Sequence, residues 1–237
     1  MDFPSLRRET RYGMPAADQI MFNRHYVLGY SYYFRQAKWA LEIIDPTNVG
    51  LKRSDNFRPD YRIPEMFRAD LEDYAGSGLD RGHLVASANQ RGDEIQNSET
   101  FLLSNMSPQM PNFNRQIWKN LEEAVRTLSK KPKILETYVI CGPIFHFDQA
   151  VKFIGENTNN EIAVPIPNAY FKSVLTENNK GRLHMWSFIL PNEVANKPLE
   201  DYRVKTSKVE QYAGIQLWGR LEGSKIHTEK KKIRKMW

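Results

Sequence analysis

The chain has one cysteine, Cys141, in 237 residues, so no disulfide can form within it. That excludes the disulfide-stapled scaffolds of small secreted proteins. The lone thiol agrees with a reducing compartment without requiring one. Cysteine and histidine nowhere fall at the spacing of a zinc centre. No apolar run is long enough to form a membrane helix, and Met1–Arg8 has no apolar stretch of the kind that opens an export signal. The expectation is a protein without membrane contact, cytoplasmic unless an N-terminal signal has been removed. No Gly/Ser linker, low-complexity tract or internal repeat divides the chain, so a single domain is expected.

What is present supports a packed core. Apolar residues make up 41% and aromatics 12%, which argues against disorder. Lys and Arg number 34 against 28 Asp and Glu, a net charge of +6. This balance suits a polyanionic partner, because Lys and Arg neutralise phosphates and release counterions. Part of the surplus sits in Lys225, Lys230, Lys231, Lys232, Arg234 and Lys235, near the end of the chain.

The pattern along the chain is that of strands mixed with a few helices. Residues 1–24 are polar and irregular and read as an N-terminal arm. His25–Tyr33 and Ala37–Ile44 read as a β-hairpin turning through residues 34–36. Residues 45–78 are rich in charge and carry Pro46, Pro59 and Pro64, which marks them as loop. Leu79–Ala88 reads as a short extended segment, and Ser98–Leu103 as a short helix capped by Ser98. The clearest helix runs from about Arg115 to Ser129, with Ile117, Trp118, Leu121, Ala124, Val125 and Leu128 at helical spacing. Apolar strands follow near residues 134–141, 162–164, 170–175 and 184–190. Leu199–Val209 then returns the chain toward Ile215–Trp218. Strands and helices in non-alternating order predict an α+β domain over residues 25–220, followed by a basic tail at 221–237.

Two residues carry the chemistry. His83 ends the run Leu79-Asp80-Arg81-Gly82-His83, and Asn114 follows it by 31 residues at the mouth of the predicted helix. A histidine can take a proton from water near neutral pH. An asparagine carbonyl is a neutral, hard oxygen ligand suited to hydrated Mg²⁺, although asparagine at a helix start is also an ordinary cap. Glu122 lies two turns beyond Asn114, on the same helical face. One base and one amide-held metal are the minimum equipment for cutting a phosphodiester. His25, His146, His184 and His227 read as structural or surface histidines.

The surrounding residues make the reading specific. The run Ser77-Gly78-Leu79-Asp80-Arg81-Gly82-His83-Leu84 resembles the DRGH signature of the DNA/RNA non-specific endonucleases, ββα-metal nucleases that include endonuclease G. A second block, Leu103–Gln109 with Asn112–Glu122, resembles the family's second motif. Tyr12-Gly13-Met14-Pro15, Tyr26–Tyr30, Gly142–Phe145, Ile189–Asn192 and Val209–Ile215 are similar to further landmarks in the expected order. The likeness spans roughly residues 12–218. It implies a central antiparallel or mixed sheet flanked by helices, with a ββα-metal finger inserted at about 79–129.

It also implies a Mg²⁺-dependent endonuclease, Mn²⁺ able to substitute, that cuts single- and double-stranded DNA and RNA to 5′-phosphate and 3′-hydroxyl ends. In that scheme His83 is the general base and Asn114 the direct metal ligand. Arg81 and Arg53 offset charge on the phosphate, and Glu122 holds metal-bound water or orients the cluster. Asn105 and Gln109 shape the site, while Asp80 fixes the local backbone or an arginine. A histidine base titrating near ~6.5, pushed down by a cation such as Arg81, predicts loss of activity below about pH 6. A homodimer and a protein inhibitor are partners the sequence leaves open. The rival readings are a nucleic-acid-binding protein without catalysis and an enzyme acting on a smaller phosphodiester such as a cyclic nucleotide.

Overall fold

The computed structural model describes residues 7–48, 50–146, 148–156, 158 and 162–237. In chain order the strands are β1 Gln19–Phe22, β2 Tyr26–Ser31, β3 Gln36–Ile43, β4 Asp80–His83, β5 Met106–Gln109, β6 Ile134–Ile144, β7 Phe153–Ile154, β8 Val164–Pro165, β9 Ala169–Asn178, β10 Leu183–Pro191 and β11 Arg203–Val204. The helices are α1 Leu71–Tyr74, α2 Glu94–Glu99, α3 Lys119–Ser129, α4 Thr206–Ala213 and α5 Ser224–Lys230. Seven strands form one sheet in the order β1-β2-β3-β6-β9-β10-β11, every pairing antiparallel. The α+β expectation holds, and the sheet is antiparallel rather than mixed.

The sheet is covered on both faces, which is why its strands read as nearly continuous apolar runs. Tyr26, Leu28, Tyr30, Ala40, Tyr170, Val174 and Phe188 point to one side, where they meet Trp118, Leu121, Val125 and Leu128. Val27, Trp39, Leu41, Tyr138, Phe171 and Leu175 point to the other, against Val209, Leu217 and Trp218. The two-residue period of a strand assigns alternate side chains to these two cores. The first core binds the segment that carries the site.

That segment is a two-stranded sheet, β4 with β5, followed by α3, a ββα arrangement within the predicted 79–129. Its register pairs Asp80 with Gln109, Arg81 with Pro108, Gly82 with Ser107 and His83 with Met106. Gly82 is required there: a Cβ at this position would lie 2.1 Å from Gln109 Oε1. Asn192 ties β5 to the main sheet. It accepts from Met110 N at 2.9 Å and donates to the carbonyls of Pro108 at 3.1 Å and Pro167 at 3.0 Å.

Several local expectations change. Residues 19–22, read as part of an irregular arm, form an edge strand, because Ile20 and Met21 pair across to Gly29 and Leu28. Residues 1–6 of that arm lie outside the described residues. The short helix predicted at Ser98–Leu103 lies earlier, at Glu94–Glu99, where Asp93 caps it by accepting from Gln96 N at 2.7 Å. The strand predicted at 162–164 is reduced to a two-residue pairing of Val164 and Pro165 with β7. The basic tail is ordered. It holds α5, Lys230 Nζ bonds Glu210 Oε1 at 2.8 Å, and Trp237 Nε1 bonds the Ala124 carbonyl on α3 at 2.8 Å. Among the described residues no helix is long and apolar enough to cross a membrane.

Candidate active site

A strand of four residues can aim only alternate side chains at one cavity. Arg81 and His83 share that face of β4. They open into a cavity of about 500 Å³ lined also by Arg53, Arg91, Asn114, Arg115, Lys119, Glu122 and Arg126. A larger cavity, about 660 Å³, lies at the far end of the finger beside Leu79 and Met110, and holds none of the predicted site residues. Chemistry rather than size picks out the site.

His83 sits in an aromatic corner. Its ring meets Phe57 edge-on at 5.7 Å and Phe101 at 4.9 Å between centroids. Its carbonyl accepts a hydrogen bond from Trp118 Nε1 at 3.2 Å, which docks the strand on the helix. Its Nε2 is buried and has no hydrogen-bond partner. The same two rings carry the two arginines: the Arg81 guanidinium lies 4.1 Å from the Phe57 centroid and that of Arg53 5.2 Å from Phe101. Burial, reinforced by the charges of Arg53 and Arg81, pushes the His83 pKa down to about 3. The imidazole is therefore neutral at physiological pH, as a proton acceptor must be.

Asn114 is not a helix cap. It lies within a π-helical turn, Phe113–Trp118, that leads into α3, and neither Asn112 nor Trp118, which precede these two segments, makes a side-chain cap bond. Single π turns inside helices often occur at functional positions. The side chains of this turn bond to the neighbouring strand. Asp80 accepts from Asn114 Nδ2 at 2.8 Å, and a bidentate pair joins it to Arg115 Nε at 2.9 Å and Nη2 at 2.7 Å. A carboxylate can only accept, so the amide nitrogen must face Asp80, leaving Oδ1 as the other arm of the fork. Although burial opposes it, the hydrogen bonds of Arg115 and Asn114 and the charges of Arg115 and Arg81 hold the Asp80 pKa below its ordinary value.

Glu122 reaches the same cavity from α3. Its Oε1 is buried with no hydrogen-bond partner, and burial pushes its pKa up to about 7 against the opposing charges of Lys172 and Arg126. An unpartnered buried carboxylate oxygen beside an amide oxygen is a donor set a hard cation would satisfy. Mg²⁺ commonly keeps several waters and takes one or two protein oxygens, so these residues fit it. Among the described residues no three His, Cys, Asp or Glu side chains converge as a metal cage.

Asn105 and Gln109 do not line the cavity. Asn105 is fully buried. It accepts from Val85 N at 2.9 Å and donates to the carbonyls of Val85 at 3.0 Å and Thr100 at 2.9 Å, joining the end of β4 to the loop before β5. Gln109 packs against Gly82, and both polar atoms of its amide are buried without partners.

Arg126 escaped the sequence reading. It lines the cavity one turn beyond Glu122, and its Nη1 bonds Asn89 Oδ1 at 2.8 Å. Asn89 in turn donates to the buried Glu42 at 2.8 Å. The four-residue spacing from Glu122 was the available signal.

The chain is similar to known nucleases in sequence and in fold. The family model for DNA/RNA non-specific endonuclease matches residues 6–223. Mitochondrial endonuclease G of Caenorhabditis elegans is 34% identical over 92% of this chain and 74% of its own length. That of Homo sapiens is 34% identical over 86% and 71%. A nuclease of Syncephalastrum racemosum is 34% identical over 90% and 71%. A crystal structure of an EndoG/EndoGI complex, concerned with the inhibition of EndoG, superposes with a TM-score of 0.82 at 31% identity, covering 91% of each chain.

Proposed function

This chain belongs to the DNA/RNA non-specific endonuclease family, and we propose that it is a Mg²⁺-dependent, sugar-non-specific nuclease that cuts DNA and RNA to 5′-phosphate and 3′-hydroxyl ends. The observation that carries the reading is convergence. A neutral imidazole with an unpartnered nitrogen shares one cavity with the Asn114 amide, the buried Glu122 carboxylate and the cations Arg53, Arg81, Arg91, Arg115, Lys119 and Arg126. A polynucleotide backbone is the ligand such a cationic rim suits.

In this reading His83 takes a proton from the attacking water at Nε2. Oxygen attacks phosphorus and the bond to the 3′ oxygen breaks, which leaves the phosphate on the 5′ side. Arg81 and Arg53, each over a ring that touches the imidazole, offset the negative charge that grows on the phosphate. Asn114 and Glu122 would hold the metal, with Asp80 fixing the Asn114 amide so that its oxygen serves as ligand. Mg²⁺ bound there would supply positive charge to the phosphate and to the departing oxygen. Phosphate contacts carry no base information, so weak sequence preference follows. A protein inhibitor is a further partner on this reading, because the EndoG of the structural neighbour is held in such a complex.

The test is digestion of plasmid DNA, single-stranded DNA and RNA with Mg²⁺ and with excess chelator. Cleavage of all three that stops on chelation is expected. Unchanged cleavage in chelator would overturn the metal, and failure to cut any polynucleotide with Mg²⁺ would overturn the activity.

A further inference from the structure

A lysine lies under the site where none would be expected. Lys172 is on β9 between Tyr170 and Val174, whose side chains belong to the core beneath the finger, and it is 2% exposed. Burying an ammonium is costly unless something compensates it. Among the described residues no carboxylate lies within 4.0 Å of its Nζ. It also meets the thiol of Cys141, its cross-strand partner on β6, and it faces an aromatic ring: Nζ stands 4.1 Å from the ring centroid of Trp118.

Trp118 is where the two halves of the finger meet. It is the last residue of the π turn, four positions after Asn114 and four before Glu122, and its Nε1 bonds the carbonyl of His83 at 3.2 Å. The rings of Phe113 and Tyr170 flank it at 5.6 Å each. Lys172 thus presses on the side chain that bonds the His83 backbone itself to the helix of Asn114 and Glu122. Its charge also faces the carboxylates of Glu42 and Glu122, for each of which it is the largest cationic influence opposing burial.

We propose that Lys172 is a positioning residue of the nuclease site: its buried ammonium clamps the Trp118 indole, and the indole sets His83 against the helix that carries Asn114 and Glu122. The inference rests on the nuclease reading, and it extends the site into the main sheet. Cation–π contacts strengthen when they are desolvated, so a clamp at this depth is stiffer than one at the surface. Residues that orient a metal or base site in this way typically affect activity 10–100-fold.

The test uses Lys172→Met, which keeps length and apolar stem, Lys172→Arg, which restores a cation, and Trp118→Phe, which keeps an aromatic disc and deletes the bond to His83. Each is measured for kcat and KM on duplex DNA in saturating Mg²⁺. The indole N–H resonance of Trp118 is followed by NMR in the metal-free protein. The expected result for Lys172→Met is a fall in kcat of about 10–100-fold with KM little changed, and a displaced Trp118 resonance. Lys172→Arg should recover most of the loss, and adding Trp118→Phe to Lys172→Met should cause no further loss. Parental kcat in folded Lys172→Met, or losses that multiply in the double variant, would overturn the clamp. Should Lys172→Met fail to fold, parental kcat in Trp118→Phe overturns it instead. A parent protein inactive with Mg²⁺ would defeat the nuclease reading, and the Trp118 resonance would still decide the clamp.

Discussion

His83 and Glu122 deviate from ordinary titration in opposite senses, and burial causes both shifts. Losing water disfavours the charged form, so the histidine drops to about 3 and the glutamate rises to about 7. A general base works when neutral, and with a pKa of about 3 the His83 imidazole stays neutral through mild acid. With saturating Mg²⁺ keeping Glu122 ionised, the kcat/KM profile should therefore remain flat from pH 7 to about 5, where an unperturbed histidine would cause a fall beginning near ~6.5. A tenfold fall per pH unit beginning at 6.5 would contradict the depressed value. The sequence led to an acid limb near pH 6. It names Arg81 as a neighbour, but Phe57 and Phe101, which supply the desolvation, are 26 and 18 residues away in the chain and give no local signal.

For Glu122 the folded pKa lies above the unfolded one, so the fold holds the proton that the unfolded chain has lost. Folding stability contributed by this group declines as pH rises from about 4.5 toward 7 and then levels off. Replacing Glu122 with Gln removes that penalty. Metal-free Glu122→Gln should be more stable than the parent at pH 8, on the order of 3–4 kcal/mol, since each pKa unit corresponds to about 1.4 kcal/mol. The difference should shrink toward pH 5, while Mg²⁺-dependent turnover is lost. Thermal unfolding at the two pH values checks this. A variant less stable than the parent at pH 8 would show that the carboxylate is satisfied by partners in the fold.

The elements show why part of the architecture could be read in advance and part could not. The hairpin of β2 and β3 and the helix of α3 follow from local periodicity, and both formed near their predicted bounds. The π turn did not follow: the helical segment begins at Pro111, so Asn114 lies inside it, and its side chain bonds Asp80, 34 residues earlier. The strand β1 was missed for a similar reason: four residues of weak pattern become a strand only by pairing with β2. In the finger, the DRGH run was legible as chemistry, whereas the need for glycine at 82 depends on Gln109 across the pair. Gly82→Ala should push the Gln109 amide and splay β4 from β5, with a loss of about 1–3 kcal/mol, as overpacking usually gives. Shortening the partner in Gly82→Ala/Gln109→Ala should restore part of that loss. Calorimetry on the two variants and the parent decides it, and an unaltered Tm in Gly82→Ala would mean that the finger yields freely.

At the scale of the molecule, the sheet acts as a platform with the reaction on one side. One of its faces holds the finger through Trp118, Tyr170 and Lys172, and Asn192 fixes the end of β5. The other face closes against α4 and the segment through Trp218 and carries none of the site residues. The net charge of +6 favours any polyanion, but the cations lining the cavity beside His83 give that preference a place. On the reading proposed above, His83 is the base for hydrolysis at that place. The most direct measurement of that role compares the parent with His83→Ala, both in saturating Mg²⁺, by single-turnover cleavage of duplex DNA alongside equilibrium binding of the same duplex. The expected rate is lower by about 10²–10⁴-fold, with affinity for the duplex retained because the arginines and Lys119 remain. A folded His83→Ala protein that binds DNA and cuts it at the parental rate would contradict that role.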